Sequence, residues 1–291
     1  ETIRKRYGDC KAMSLLLKTL LRAQGFDARQ TDIGTDDVPY SPQQVPTIAA
    51  IDHAICTVYH QGKAYFLDAT NPYIPMGYIP ANIQGRQALV EKESGCDVVI
   101  LPVLSEEANS SSEVMEGSLI TLDNGTYAMK GNVTSSWSGD MKAMVMSAYE
   151  SVAKDEKDRL LARILGFGKT TDQLGDIRLE GNLPQAQHLQ ISAAYTKGDV
   201  GLSADGKLYV DMNPDKDIFL DRVDTTKRTC DDMLDMPAKL VRTVKMVIPK
   251  GMRVEELPAL YESHSKWCDF RRVFRSQGNS VVMEKEYHIK K

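Results

Sequence analysis

Ala12, Leu16, Leu20 and Ala23, with Met13, Leu17 and Leu21 beside them, recur at the spacing of a wide apolar helical stripe. A helix with such a face must bury it against another layer, and the segments that follow alternate at the period of strands. The stretch therefore points to a helix with one wide buried face. Gly25 supplies the stop, and Asp9 is a good N-cap because its short carboxylate accepts the unpaired amide hydrogens of a first turn. Gly8 lets the chain bend tightly just before it. Cys10 then falls at the first helical position. The partial positive charge and free amides of a helix start favour thiolate over thiol, which makes a cysteine there a nucleophile. Taken alone, the motif leaves a second reading open, because a free cysteine is also a common inert buried residue.

After Gly25, residues Phe26 to Ile33 alternate as a strand, and the polar stretch from Gly34 to Pro46 is expected as a surface loop near the site. Residues His53 to Tyr59 and Lys63 to Asp68 read as a β-hairpin with Gln61-Gly62 as the two-residue turn. That turn sets the register. Asp68 lies opposite Ile55 and diagonal to His53, and alternation puts His53, Ile55 and Thr57 on one face with Ala64, Phe66 and Asp68. A diagonal pair is within reach of a histidine–carboxylate hydrogen bond. A histidine oriented by a carboxylate is the base a cysteine nucleophile needs. The three residues make one expectation: Cys10 attacks, His53 takes its proton, and Asp68 holds the imidazole tautomer and stabilises its charged form. Cys56 alternates to the opposite face and is expected in the core, and His60, beside the turn, is expected as a solvated edge residue.

The chain is 291 residues long with 42% apolar content, enough for about two domains. A formal charge of −4 and no long run of like charge argue against a nucleic-acid or anionic-membrane surface. No segment reaches the ~18 apolar residues needed to span a bilayer. The five cysteines contain no CxxC and are too sparse for a disulfide scaffold or a cysteine-rich zinc site, so the redox compartment is not readable from them.

Three pieces carry a resemblance: Tyr7-Gly8-Asp9-Cys10-Lys11 before the leucine-rich helix and Gly25; Asp52-His53-Ala54; and Tyr65-Phe66-Leu67-Asp68-Ala69-Thr70. Together they resemble the transglutaminase-like superfamily of papain-related cysteine enzymes. Gly77-Tyr78-Ile79-Pro80, Gly85 to Val90, Val247 to Gly251, Val254 to Pro258 and the final strand ending Glu286 to Lys291 resemble the continuation in large bacterial multidomain members. The resemblance implies a Cys10, His53, Asp68 triad acting on peptide or glutamine-type amide bonds, hydrolysis in preference to cross-linking, a protein or peptide substrate, and no metal or organic cofactor. It implies an exported, periplasmic or extracellular location, which the residues themselves leave open, as they leave the oligomeric state. Many members carry an acidic residue where this chain has Ala12, and the segment upstream of the cysteine that usually helps build the oxyanion hole has no counterpart here. The Cys10 amide is the one donor that can be named. Because the chain begins at Glu1 and the helix opens nine positions later, an N-terminal portion is expected to be missing. The alternative from another class is a non-catalytic scaffold joined to a protein- or carbohydrate-binding β domain.

The expected class is α+β. Residues 1–96 form the C-terminal portion of a transglutaminase-like core, and residues 97–291 an antiparallel β-sandwich with a helical insertion at about 140–165. Strands are expected at Val98 to Leu104, Val114 to Leu122, Thr126 to Trp137, Leu189 to Thr196, Lys207 to Met212, Lys239 to Ile248, Cys268 to Ser276 and Ser280 to Ile289. Asp123-Asn124-Gly125 and Gln277-Gly278-Asn279 mark hairpin turns, and Asn109-Ser110-Ser111-Ser112 reads as a loop. Gly166 to Thr171 resembles half a phosphate loop, but it follows a helix and Arg163 stands where the earlier glycine is required. His188, His264 and His288 lack metal-ligand spacing, and Trp137 and Trp267 are read as packing residues.

Overall fold

The segment between Asp9 and Gly25 folds as a helix that lies against strands through Leu17 and Leu21, whereas Leu20 and Ala23, expected in the buried stripe, are exposed. The computed structural model describes residues 2–183, 186–213, 229 and 236–290. Helices are α1 (Thr2–Lys5), α2 (Cys10–Ala23), α3 (Gly139–Ser151) and α4 (Lys157–Ile164). The first five strands are β1 (Asp27–Ile33), β2 (His53–His60), β3 (Lys63–Leu67), β4 (Gln87–Glu91) and β5 (Cys96–Ile100). After them come β6 (Ser110–Thr121), β7 (Tyr127–Ser138), β8 (Gln173–Glu180), β9 (His188–Ala204), β10 (Lys207–Val210), β11 (Ala238–Val247), β12 (Tyr261–His264), β13 (Cys268–Gln277) and β14 (Ser280–Ile289). The mixture of few helices and extensive antiparallel sheet is the expected α+β class.

The chain divides into two units, one of residues 1–108 with 183–187 and the other of 109–182 with 188–291. In the first, five strands pair antiparallel in the order β3-β2-β1-β4-β5. Leu17 and Leu21 of α2 pack on Ala28, Cys56, Val58 and Leu67 on one face. On the other face Ile33, Ile55, Ile79, Ile83, Ala88 and Leu101 form a second apolar cluster, with Phe66 against it. Ile33 and Ile55 are fully buried there, each burial being worth roughly 1.5–3 kcal/mol, so the adjoining ends of β1 and β2 are held from beneath.

Among the described residues the second unit carries nine strands in the order β10-β9-β7-β6-β11-β14-β13-β12, with β8 paired to β9. Strand β11 inserts between β6, to which it runs parallel, and β14, to which it runs antiparallel, and so joins two antiparallel sets into one continuous ladder. The helical insertion is present as α3 and α4, broken by a turn at the all-charged Lys154–Glu156. Asn109 to Ser112 is not a loop. Asn109 is buried, its amide donating to the Pro237 carbonyl and its side-chain oxygen accepting from the Met141 amide, while Ser110 to Ser112 open β6.

Candidate active site

Asp9 adopts an extended conformation, and its Oδ1 accepts the Ala12 amide at 2.8 Å, so α2 starts at Cys10 as the capping argument requires. At the far end Gly25 takes φ +86, the left-handed conformation that ends a helix and that glycine adopts without strain. Polar contacts fix where α2 lies. Gln30 Nε2 donates to Ser14 Oγ at 2.6 Å, and Arg22 Nε donates to the Ala28 carbonyl at 2.7 Å. Rising numbers on the helix thus meet falling numbers on β1. The first turn, ~6 Å before Ser14, is directed toward the Asp32–Ile33 end of that strand. Electrostatics agree: burial raises the Asp32 carboxyl above its ordinary value, and the Lys11 charge acts on it in the opposite direction. At that same end Ile33 pairs with His53, the first residue of β2. Cys10 is half-buried, carries no disulfide, and its amide meets no protein acceptor among the described residues.

The β2–β3 hairpin has the expected register. Gln61 and Gly62, at φ 50 and 75, form the two-residue turn, and Cys56 pairs with Leu67, Thr57 with Phe66 and Val58 with Tyr65. Asp68 follows directly after β3. His53 Nε2 donates to Asp68 Oδ2 at 2.8 Å, with the two side chains 16% and 6% exposed. The other carboxylate oxygen, Oδ1, accepts from the Thr70 amide at 2.9 Å and the Thr70 hydroxyl at 2.6 Å. Asp68 holds the His53 imidazole above its ordinary value by this hydrogen bond and by its charge, against the opposing effect of burial, and Asp52 adds a smaller push the same way. For Asp68, burial acts upward, but the bonds from His53 and Thr70 outweigh it and keep the carboxyl below its ordinary value. The pair is thus built to be charged on both sides.

His53 and Asp68 are therefore in direct contact. Cys10 stands at the helix end directed to the same edge of the sheet, but among the described residues neither its Sγ nor His53 Nδ1 makes a hydrogen bond. The ring nitrogen left over after the Asp68 contact is Nδ1.

Two threonines beside these groups escaped the sequence reading. Thr70 is one. The other is Thr35, whose amide and hydroxyl donate to the two Asp52 oxygens at 2.8 and 2.7 Å. Burial acts to raise Asp52, and these bonds more than offset it, holding the carboxyl below its ordinary value. The Asp68-Ala69-Thr70 spacing carries a local signal for the first, since an aspartate readily bonds the backbone two residues on. Nothing local signals the second. The loop after β1 is correspondingly not all surface: Gly34, Thr35 and Val38 are buried, and Arg86 donates to the Gly34 and Val38 carbonyls. A side chain at Gly34 would meet the Ala50 carbonyl oxygen at 2.4 Å, which is why that corner is glycine.

The remaining candidates separate from this cluster. Cys56 is fully buried, and burial raises its thiol above the ordinary value, opposite to activation. His60 is exposed and stacks edge-on against Phe26. Trp137 is buried, while Trp267 is 55% exposed, with Lys266 over its ring. His264 lies beside Asp269, and His288 beside Glu286. Cys230 lies outside the described residues, and among those described no group of His, Cys, Asp and Glu is arranged to hold a metal.

No family model and no curated protein matches this chain. A solved structure named "putative protease", from Parabacteroides distasonis, is similar with a TM-score of 0.46 and 10% identity, over 99% of this chain and 39% of that one. The chain therefore spans well under half the length of that protein.

Proposed function

We propose that this chain is a transglutaminase-like cysteine enzyme that opens peptide or glutamine-type amide bonds. The observation that carries the proposal is the His53–Asp68 contact at 2.8 Å, which commits Nε2 to the carboxylate and leaves Nδ1 as the remaining ring nitrogen. In this reading the Cys10 thiol gives its proton to Nδ1 as sulfur attacks the carbonyl carbon. The oxyanion that forms takes a hydrogen bond from the Cys10 amide at the helix start. Collapse of the tetrahedral centre breaks the C–N bond, and the departing amine takes the proton back from Nδ1. A thioester remains. Water, deprotonated by the same nitrogen, then attacks it, and the Cys10 thiolate leaves. An amine in place of water would give transamidation by the same steps. Asp68 keeps the ring oriented throughout and stabilises the imidazolium between the two transfers.

The second reading is a non-catalytic scaffold, and the observation favouring it is that Cys10 and His53 share no hydrogen bond in the structure. Turnover of a glutamine- or peptide-amide reporter by the intact chain and by Cys10→Ala separates the two. The enzyme reading expects turnover in the wild type and a loss of at least ~100-fold in Cys10→Ala. Equal rates in both proteins would leave the scaffold. Among the described residues no helix is long and apolar enough to cross a membrane.

A further inference from the structure

Asp68 is the first residue past the end of β3, so the strand ladder does not itself fix which way its carboxylate turns. Two oxygens are available, and only one can meet His53 Nε2. The structure divides them cleanly: Oδ2 goes to His53, and Oδ1 takes both the amide and the hydroxyl of Thr70. The other carboxylate next to His53, Asp52, has both oxygens bonded by Thr35, one to the amide and one to the hydroxyl. From this division we infer that Thr70 is a positioning residue, acting through Asp68 to hold one carboxylate oxygen on His53. The inference rests on the reading of His53 and Asp68 as base and orienter.

Two physical roles for Thr70 make opposite predictions. A hydroxyl that merely shared the carboxylate charge would weaken Asp68 as an acceptor, and its removal would strengthen the pull on the imidazole. A hydroxyl that fixes the carboxylate rotamer does the reverse, because without it the Asp68 oxygens spend time away from Nε2 and the imidazole loses its partner. The charged groups acting on His53 are Asp68 and Asp52, and Thr70→Ala leaves both in place. Thr70 is exposed, so the substitution empties no core volume. The backbone amide bond to Oδ1 also remains, which keeps the expected effect partial.

The experiment is an NMR titration of the His53 ring in the full chain, its resonance assigned by loss in His53→Gln, for wild type, Thr70→Ala and Thr70→Ser. Positioning predicts that the midpoint falls in Thr70→Ala by about half a unit toward the ordinary histidine value of ~6.5 and returns in Thr70→Ser. A midpoint that is unchanged or rises in Thr70→Ala overturns it, as does a fall that Thr70→Ser fails to restore. The titration needs no turnover. If it behaves as predicted and the wild type turns over no amide, the proposed reaction fails and the positioning stands. If turnover is Cys10-dependent and the midpoint does not fall in Thr70→Ala, the positioning fails and the reaction stands. In an active protein the same substitution lowers kcat about 3- to 10-fold with KM little changed, the size expected for losing one hydrogen bond to a charged group when a second remains.

Discussion

At the scale of single residues the site is a set of satisfied carboxylates around one imidazole. The His53–Asp68 pair has a definite pH signature. A histidine raised above its ordinary value of 6.5 contributes stability that is complete below that value and is lost as pH rises through the folded one. A carboxyl lowered from 3.8 contributes stability that is complete above that value and is lost as pH falls through the folded one. The contribution of the pair is therefore complete between about pH 4 and 6.5 and fades on both sides. Denaturant unfolding of wild type and Asp68→Asn across pH should show the largest difference in that window. A difference independent of pH would mean that the two side chains are not an ion pair in solution.

Among the elements, α2 and the β2–β3 hairpin carry the residues of the proposed site, and both were legible because their determinants are local. The Asp9 cap, the Gly25 stop and the apolar spacing all fall within one segment, and a two-residue turn dictates the whole register of its hairpin. Asp9→Ala should cost about 0.5–2 kcal/mol, read as a lower unfolding midpoint, and should fray the turn that presents Cys10. Full retention of both stability and Cys10 reactivity would show that tertiary packing alone sets the helix start. Elements governed by distant partners were not legible. The contact of Thr35 with Asp52 joins residues on opposite sides of a loop, and no periodicity announces it. Strand β8 was missed because it is largely polar, bends at Asp176 with φ 52 and shifts register against β9. Strand β12 was missed because it is exposed along its whole length at the edge of its sheet and shows no buried face to alternate.

For the whole molecule, the class was legible but the joining of the strands was not. Alternation at Lys239 to Ile248 identifies a strand and says nothing of its neighbours, yet the parallel pairing of β11 with β6 is what makes one sheet of nine strands. The three residues of the proposed triad all lie in the first unit, so the central claim concerns that unit alone: a thiol at a helix start is activated by a histidine that a carboxylate orients. Site-resolved alkylation of Cys10 by iodoacetamide, followed by mass spectrometry across pH in wild type and His53→Ala, tests it most directly. Cys96, which is exposed, serves as the internal reference thiol. The account predicts that at about pH 6 Cys10 in the wild type reacts at least ~10-fold faster than Cys96, and that His53→Ala abolishes this advantage. Equal rates at Cys10 and Cys96, or a Cys10 rate unchanged by His53→Ala, would contradict it.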